Sequence, residues 1–240
     1  MRTIGLIGGM SWESTVPYYQ HINRLIAERL GPLHSARIVL YSVDFHEIET
    51  MQRTAQWDAA GTLLAGAARK VQAAGADFLL LCTNTMHKVA SAVTAAVDIP
   101  LLHIVDPTGA AIRAHALRRV GLLATRYTME EPFYRDLLAA RFGIDAIVPD
   151  EPARTRVHDV IYGELCQGHI VESSRKDYLG IIDELAARGA EGIILACTEV
   201  GMLIGQADTD IPLFDTTLLH AQAAVTWALD GPVAPSGASA

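Results

Sequence analysis

The sequence has few of the features that mark secreted or membrane proteins. Among 240 residues there are three cysteines, none in a C-x-x-C pair, so we expect no disulfide framework and a reducing, cytoplasmic location. No apolar run approaches the roughly 18 residues that a membrane-spanning helix needs. Gly8-Gly9 and Glu13 follow the first apolar run too soon for a signal peptide. No membrane partner is expected.

Positive charge is also scarce. The chain has 19 basic residues against 27 acidic ones, a net charge of −8, and the basic residues are scattered. A nucleic-acid-binding protein needs a concentrated cationic face, so we expect no nucleic-acid partner. The lysines are Lys70, Lys88 and Lys176, and their positions do not favour a Schiff base with pyridoxal phosphate. Because H-E-x-x-H and paired-cysteine motifs are lacking, no metal site is expected either.

Half of the residues are apolar, and they fall into short runs that alternate with longer amphipathic segments. The short runs predict buried strands, and the apolar positions that recur at helical spacing predict helices. Buried strands separated by helices are typical of a parallel sheet covered on both faces, which is an α/β fold. The predicted strands are 4–7, 38–43, 78–82, 101–105 and 120–124, and the predicted helices include 15–30, 56–74 and 216–229.

The second half of the chain resembles the first. Gly121 lies 116 positions after Gly5 in similar strand sequences, and Cys197 lies 115 positions after Cys82. Asp-Ile-Pro-Leu occurs at 98–101 and again at 210–213. Three ordered matches predict two homologous α/β lobes, with chance similarity between common strand sequences as the alternative. We expect one lobe at 1–115 with the C-terminal helix at 216–229, a second at 116–215, and a flexible tail at 231–240.

Cys82 and Cys197 are the candidate reactive groups. Each ends an apolar run and is followed by threonine, a polar residue and a predicted helix. Ligands of parallel α/β sheets bind outside the carboxyl ends of the strands, and a helix N-terminus lowers the pKa of a nearby thiol. The alternative for each cysteine is a small buried hydrophobic residue.

Two thiols related by a pseudo-two-fold axis would face each other across the cleft between the lobes. One thiolate can then remove a proton from one face of a carbon while the other thiol returns a proton to the opposite face, which inverts a stereocentre. The developing charge and a substrate carboxylate need hydrogen-bond donors. The candidates for this role are Thr83, Asn84, Thr85 and Thr198.

The sequence resembles the aspartate/glutamate racemase family, and most closely its bacterial members with aspartate/glutamate or broader amino-acid specificity. The resemblance extends from Arg2 to about Leu229. It depends on five motifs taken together: Ile4-Gly5-Leu6-Ile7-Gly8-Gly9-Met10-Ser11-Trp12-Glu13-Ser14-Thr15, Ser42-Val43-Asp44-Phe45-His46-Glu47-Ile48-Glu49, Leu81-Cys82-Thr83-Asn84-Thr85-Met86-His87-Lys88, Thr125-Arg126-Tyr127-Thr128-Met129 and Cys197-Thr198-Glu199-Val200.

The resemblance implies two pseudo-symmetric three-layer αβα lobes, each with a central, mostly parallel sheet, and an active site in the cleft between them. It implies an isomerase that uses neither pyridoxal phosphate nor metal, that acts on a small amino acid, and that forms a homodimer. It assigns catalysis to Cys82 and Cys197. Residues implied to contact the substrate or line its site are Met10, Thr83, Asn84, Thr85, Thr125 and Thr198, with Gln52 or Arg53 as candidates near the side chain.

Cys166 stands where some aspartate racemases of the family have a lysine, so broader substrate specificity remains an alternative. Further alternatives are hydantoin racemase, a maleate-type cis–trans isomerase that uses a nucleophilic cysteine, and a two-lobed amino-acid-binding regulatory protein. His87 is interpreted as a packing residue rather than a base. The acidic segment 44–49 is interpreted as a solvated loop rather than a lid, and Glu199 either orients the thiol or caps a helix.

Overall fold

The structure, a computed structural model, describes residues 1–231. Its strands are β1 (Ile4–Gly8), β2 (Ile38–Ser42), β3 (Phe78–Leu81), β4 (Arg119–Ala124), β5 (Asp145–Ile147), β6 (Ile193–Ala196) and β7 (Leu213–Asp215). Its α-helices are α1 (Trp12–Leu30), α2 (Phe45–Arg53), α3 (Trp57–Ala73), α4 (Ala90–Thr94), α5 (Val105–Ala114), α6 (Arg126–Glu130), α7 (Pro132–Phe142), α8 (Glu151–Gly163), α9 (Glu172–Ala187), α10 (Val200–Leu203) and α11 (Thr216–Asp230). Short 3-10 helices span Thr85–Val89, Leu165–Gln167 and Gln206–Asp208.

The described chain forms two compact units. The first unit comprises Met1–Ile104 together with 220–231, and the second comprises Val105–Leu219. The sequence placed this division at residue 115 and assigned 216–229 to the first lobe. The predicted flexible tail, 231–240, lies outside the described residues except for Gly231. Within residues 1–231, every helix is too short or too polar to cross a membrane.

The first unit is a parallel sheet with helices on both faces. Its strand order is β2-β1-β3. Ile4 and Leu6 point to the face covered by α1 and α11, where they pack with apolar residues of both helices. Ile7 and Leu81 point to the opposite face, which packs against α2 and α3. Burial on both faces explains the continuous apolar character of these strands and confirms the predicted three-layer arrangement in this unit.

The second unit has a four-stranded parallel sheet of order β5-β4-β6-β7. Helices α8 and α9 pack against β4. Gly121 on β4 leaves room for the side chain of Leu185 on α9 and that of Ile193 on β6, because a Cβ there would lie 2.9 Å from Leu185 Cδ1 and 2.6 Å from Ile193 Cδ1. Parallel strands in both sheets confirm the α/β fold class.

Three local predictions from the sequence are wrong. The run 101–105 is not a strand, because only Leu101 pairs with Leu79 before α5 begins at Val105. The acidic segment 44–49 is not a loop, because the Asp44 carboxylate accepts a hydrogen bond from the His46 N–H and so begins α2. Helix α1 starts at Trp12 rather than residue 15, with Ser11 as its N-cap residue.

Two buried histidines hold the segments where the chain leaves and re-enters the first unit. His87 donates from Nδ1 to the Thr83 carbonyl (2.7 Å), and its Nε2 accepts from the Ile104 N–H (3.2 Å). His220 donates from Nε2 to the Leu102 carbonyl (2.9 Å), and its Nδ1 accepts from the Tyr18 hydroxyl (2.9 Å). Each ring must be neutral to keep its acceptor nitrogen. The packing interpretation of His87 is thereby confirmed.

Burial lowers the pKa of His87 to about 4 and that of His220 to about 3. Since unfolded histidine titrates near pH 6.5, the unfolded chain binds these protons first, and stability falls as the pH drops from 6.5 towards those values. We expect each histidine to cost about 2 kcal/mol of unfolding free energy between pH 7 and pH 5. Urea titrations of the wild type and His220→Gln measure this.

Between pH 7 and pH 5, the free energy of unfolding of His220→Gln should fall by about 2 kcal/mol less than that of the wild type. His34→Gln is the matched control, because His34 is exposed. An unchanged pH dependence in His220→Gln contradicts the assignment of a buried neutral ring.

Candidate active site

The polar residues predicted for the first half of the site do lie at the ends of adjacent strands. Met10 follows β1, and Thr83, Asn84 and Thr85 follow β3, the strand paired with β1. All four side chains are buried, as is Gln52 on α2. Gln52 donates from Nε2 to the Met86 sulfur at 3.0 Å, which brings α2 to the same strand ends. The first unit therefore groups these predicted residues together.

The turn after β1 has a structural explanation of its own. Gly9 has φ of +87°, and a Cβ there would lie 2.3 Å from the Val43 carbonyl oxygen. Its N–H donates to the Thr15 hydroxyl at 2.8 Å. The glycine is thus required by the close approach of the backbone after β2.

Cys82 lies inside the apolar core. Its side chain is fully buried in the cluster that contains Leu6, Tyr18 and Leu80, on the sheet face covered by α1 and α11. Burial alone raises the pKa of this thiol far above its ordinary range. These surroundings match the alternative considered from the sequence, a small buried hydrophobic residue.

The strand registers show which residues correspond in the two sheets. Gly5 pairs with Leu79 in the first sheet, and Gly121 pairs with Ile193 in the second. Gly5 and Gly121 occupy the same place in the two similar central strands. Their pairing partners, Leu79 and Ile193, are therefore equivalent, and these two residues are 114 positions apart. The same separation relates Gly75 and Gly189, which follow α3 and α9 with φ values of 93° and 92°.

A separation of 114 positions makes Thr83, not Cys82, the counterpart of Cys197. Cys82 corresponds instead to Ala196, which is 1% exposed in the second unit. Thr83 and Cys197 are each 6% and Cys82 is 0% exposed. The prediction that both cysteines occupy the same strand position is wrong by one residue. The cysteines are 115 positions apart, so aligning them would need one extra residue in the second unit, and the strand registers show no such insertion.

The second half of the site is built around Cys197. Thr125 follows β4 and Cys197 follows β6, directly after the paired residues Ala124 and Ala196. The Cys197 thiol donates to Glu199 Oε2 at 2.9 Å, and the Thr198 hydroxyl donates to the same oxygen at 2.9 Å. Burial, followed by the Glu199 charge, raises the pKa of Cys197 well above that of an ordinary thiol.

The expectation that helix N-termini lower the pKa of both thiols is wrong. The helical segments that follow the cysteines are the five-residue 3-10 helix Thr85–Val89 and the four-residue α10. Such short segments align few peptide dipoles, so desolvation of the thiolate dominates. Both thiols are therefore protonated in the resting protein.

A group of side chains near Cys197 was not recognised from the sequence. Tyr162 on α8 interacts electrostatically with Cys166, Cys197 and Glu199. Burial raises the pKa of its hydroxyl, which stays neutral. His158 lies one turn away with its ring 4.7 Å from that of Tyr162. Tyr162 lies at the end of α8 and Cys166 in the 3-10 helix that follows, so helical spacing in the sequence gave no signal for this group.

The remaining predicted residues have clear positions. Thr125 is buried at the N-cap of α6, with its hydroxyl 3.4 Å from that of Thr128. Arg53, the other residue considered beside Gln52, is exposed and pairs with Glu49 at 3.3 Å. Across residues 1–231, no three or more His, Cys, Asp or Glu side chains are grouped to hold a metal ion.

Comparisons with known proteins agree with this fold and identify a family. The family model described as Asp/Glu/Hydantoin racemase matches residues 7–224. The broad specificity amino-acid racemase RacX of Bacillus subtilis (strain 168) is 24% identical over 228 residues, covering 93% of this chain and 96% of RacX.

Two solved structures cover nearly the whole chain. A candidate Asp/Glu racemase from Yersinia pestis is 51% identical, with a TM-score of 0.88 over 96% of this chain and 100% of that one. An aspartate racemase homologue from Pyrococcus horikoshii OT3 is 29% identical, with a TM-score of 0.82 over 95% and 99% of the two chains. Because the family model spans most of the sequence, this chain belongs to the Asp/Glu/hydantoin racemase family.

Proposed function

We propose that this protein is a cofactor-independent amino-acid racemase that inverts the α-carbon by moving protons at its two faces. The observation that carries the proposal is a pair of equivalent buried polar turns, Thr83–Thr85 and Cys197–Glu199, at matching strand ends of the two units. Buried polar side chains at the carboxyl ends of parallel strands are typical of ligand sites in α/β proteins.

Cys197 is the acid/base group for one face of the α-carbon. As thiolate it removes the α-proton, and as thiol it returns one, so the sulfur changes between two protonation states in each turnover. The mechanism needs a second proton-transfer group for the opposite face, and we assign this role to the turn after β3. There the position equivalent to Cys197 is Thr83, whereas Cys82 lies in the core.

A hydroxyl at the second face has a kinetic consequence. Threonine is a far weaker acid than a thiol, so proton transfer at that face is slower than at Cys197. Because two enantiomers have equal free energy, kcat/KM must be equal in both directions of racemisation. The difference between the faces therefore affects the exchange of the α-proton with solvent. Exchange without inversion is faster for the enantiomer whose α-proton faces Cys197.

Aspartate and glutamate are the leading substrates, because the family model and the solved relatives carry that description. RacX is described as having broad specificity, and two residues near Cys197 point in the same direction. Neither Tyr162 nor Cys166 supplies a cation for an acidic side chain, because a phenol or a thiol carries no positive charge in either protonation state. We therefore include neutral amino acids in the substrate class.

We expect Cys197→Ser and Thr83→Val to lower racemisation by about 10²-fold or more, because each removes a proton-transfer group. Cys82→Ala should stay within a few-fold of wild type, because the Cys82 side chain lies in the core. Chiral chromatography of L- and D-amino acids, incubated without added cofactor, measures the rates. Loss of racemisation in Cys82→Ala with full activity in Thr83→Val would restore the two-cysteine assignment.

The stability of serine variants separates the two cysteines further. Cys82→Ser places a hydroxyl among apolar side chains, and we expect a loss of about 1–3 kcal/mol in the free energy of unfolding. Cys197→Ser should lose less, because the Glu199 carboxylate accepts from the new hydroxyl as it does from the thiol. Denaturant titration of the two variants compares them directly. Equal losses of unfolding free energy would argue against an apolar environment for Cys82 and a polar one for Cys197.

One observation favours a second function, an amino-acid-binding regulatory protein. Both thiols are buried, and burial is the largest cause of the raised pKa of each. Thiols that serve no reaction would have these properties. Amino-acid binding without inversion and without exchange of the α-proton for solvent deuterium is the result that this function predicts.

A further inference from the structure

A buried carboxylate next to Cys197 is not yet accounted for by the proposed reaction. Glu199 is 2% exposed, and its Oε2 accepts hydrogen bonds from two neighbouring side chains, the Cys197 thiol and the Thr198 hydroxyl, each at 2.9 Å. Taking a carboxylate out of water is costly, so its position beside the sulfur needs a physical reason.

Helix capping is not the reason. Glu199 is the N-cap residue of α10, but its side chain makes no capping hydrogen bond to that helix. The carboxylate instead turns back to the two residues before it. Capping, one of the two roles considered from the sequence, is therefore wrong, and orientation of the thiol remains.

The geometry points to a proton-sharing pair: we propose that Glu199 is a positioning residue that takes the thiol proton from Cys197 when the sulfur acts as base and returns it afterwards. This inference depends on the proposed racemase function. The S–H bond breaks as an O–H bond forms on Glu199, which leaves a thiolate and a carboxylic acid. This transfer leaves the net charge of the pair unchanged. The thiolate then takes the α-proton.

The electrostatics of the site keep one proton on the pair formed by Cys197 and Glu199. A thiolate and a carboxylate in direct contact repel each other strongly in a buried environment, so the pair retains one proton and one negative charge. The raised pKa of the Cys197 thiol follows from this repulsion together with desolvation. The Thr198 hydroxyl, which donates to the same oxygen, fixes the carboxylate in line with the sulfur.

The test uses Glu199→Gln, which keeps the shape of the side chain and removes both the charge and the proton acceptor. The pH dependence of iodoacetamide alkylation, resolved by peptide mass spectrometry, reports the thiolate of each cysteine without any substrate. With the like charge removed, we expect Cys197 alkylation near neutral pH to accelerate about tenfold or more. Cys82 is the internal control, and its alkylation should not change.

In the same variant, we expect kcat for racemisation to fall by about 10²-fold or more while KM stays within a few-fold. Glu199→Asp keeps the charge on a shorter side chain and should recover part of kcat. Unchanged Cys197 alkylation overturns the proposal whatever happens to kcat, and so does faster alkylation with full kcat. If the wild type shows no racemisation, the proposed function fails, and the alkylation result still decides whether the Glu199 charge acts on the Cys197 thiol.

Discussion

The candidate site depends on the hydrogen-bonded register of two pairs of parallel strands. Within each unit, the central strand and its neighbour end at the same level, so the residues that follow them emerge side by side. Apolar side chains bury these strands on both faces, which fixes which residue leaves the sheet first. A shift of one position would exchange Cys82 with Thr83 and place a hydroxyl in the core.

The same burial sets the chemistry of the second unit. In water, a glutamate has little effect on a neighbouring thiol, but in a poorly solvated turn their interaction is strong. Cys197 is thereby held as a thiol that donates a hydrogen bond to Glu199. In the proposed reaction, the resting thiol protonates a carbanion, and Glu199 takes the thiol proton when the sulfur acts as base.

Much of the architecture could be predicted from the sequence, because short apolar runs closed by glycine mark buried strands without reference to the rest of the chain. The segments 4–7 and 56–74 were predicted within one residue at each end. Helix α2 was missed because its charged residues resemble a loop and one carboxylate, Asp44, begins it.

The details of the site were less accessible. Two cysteines, each followed by threonine, look equivalent in sequence, and only the pairing of Leu79 and Ile193 with their neighbours in the sheet shows that they are not. The contact between Cys197 and Glu199 depends on side-chain directions in a short turn, for which the sequence pattern contains no signal. The resemblance identified the family, which the match over residues 7–224 confirms, whereas the move of the reactive position from Cys82 to Thr83 is a proposal that depends on the strand registers.

The central claim is that the sulfur of Cys197 exchanges a proton with the α-carbon of an amino acid. Its most direct test is proton NMR of pure L- and pure D-aspartate, each incubated with the enzyme in deuterium oxide, with Cys197→Ser in parallel. The account predicts that the α-proton signal of one enantiomer disappears faster than inversion occurs, and that Cys197→Ser abolishes this exchange. Equal exchange in the variant and the wild type would contradict it.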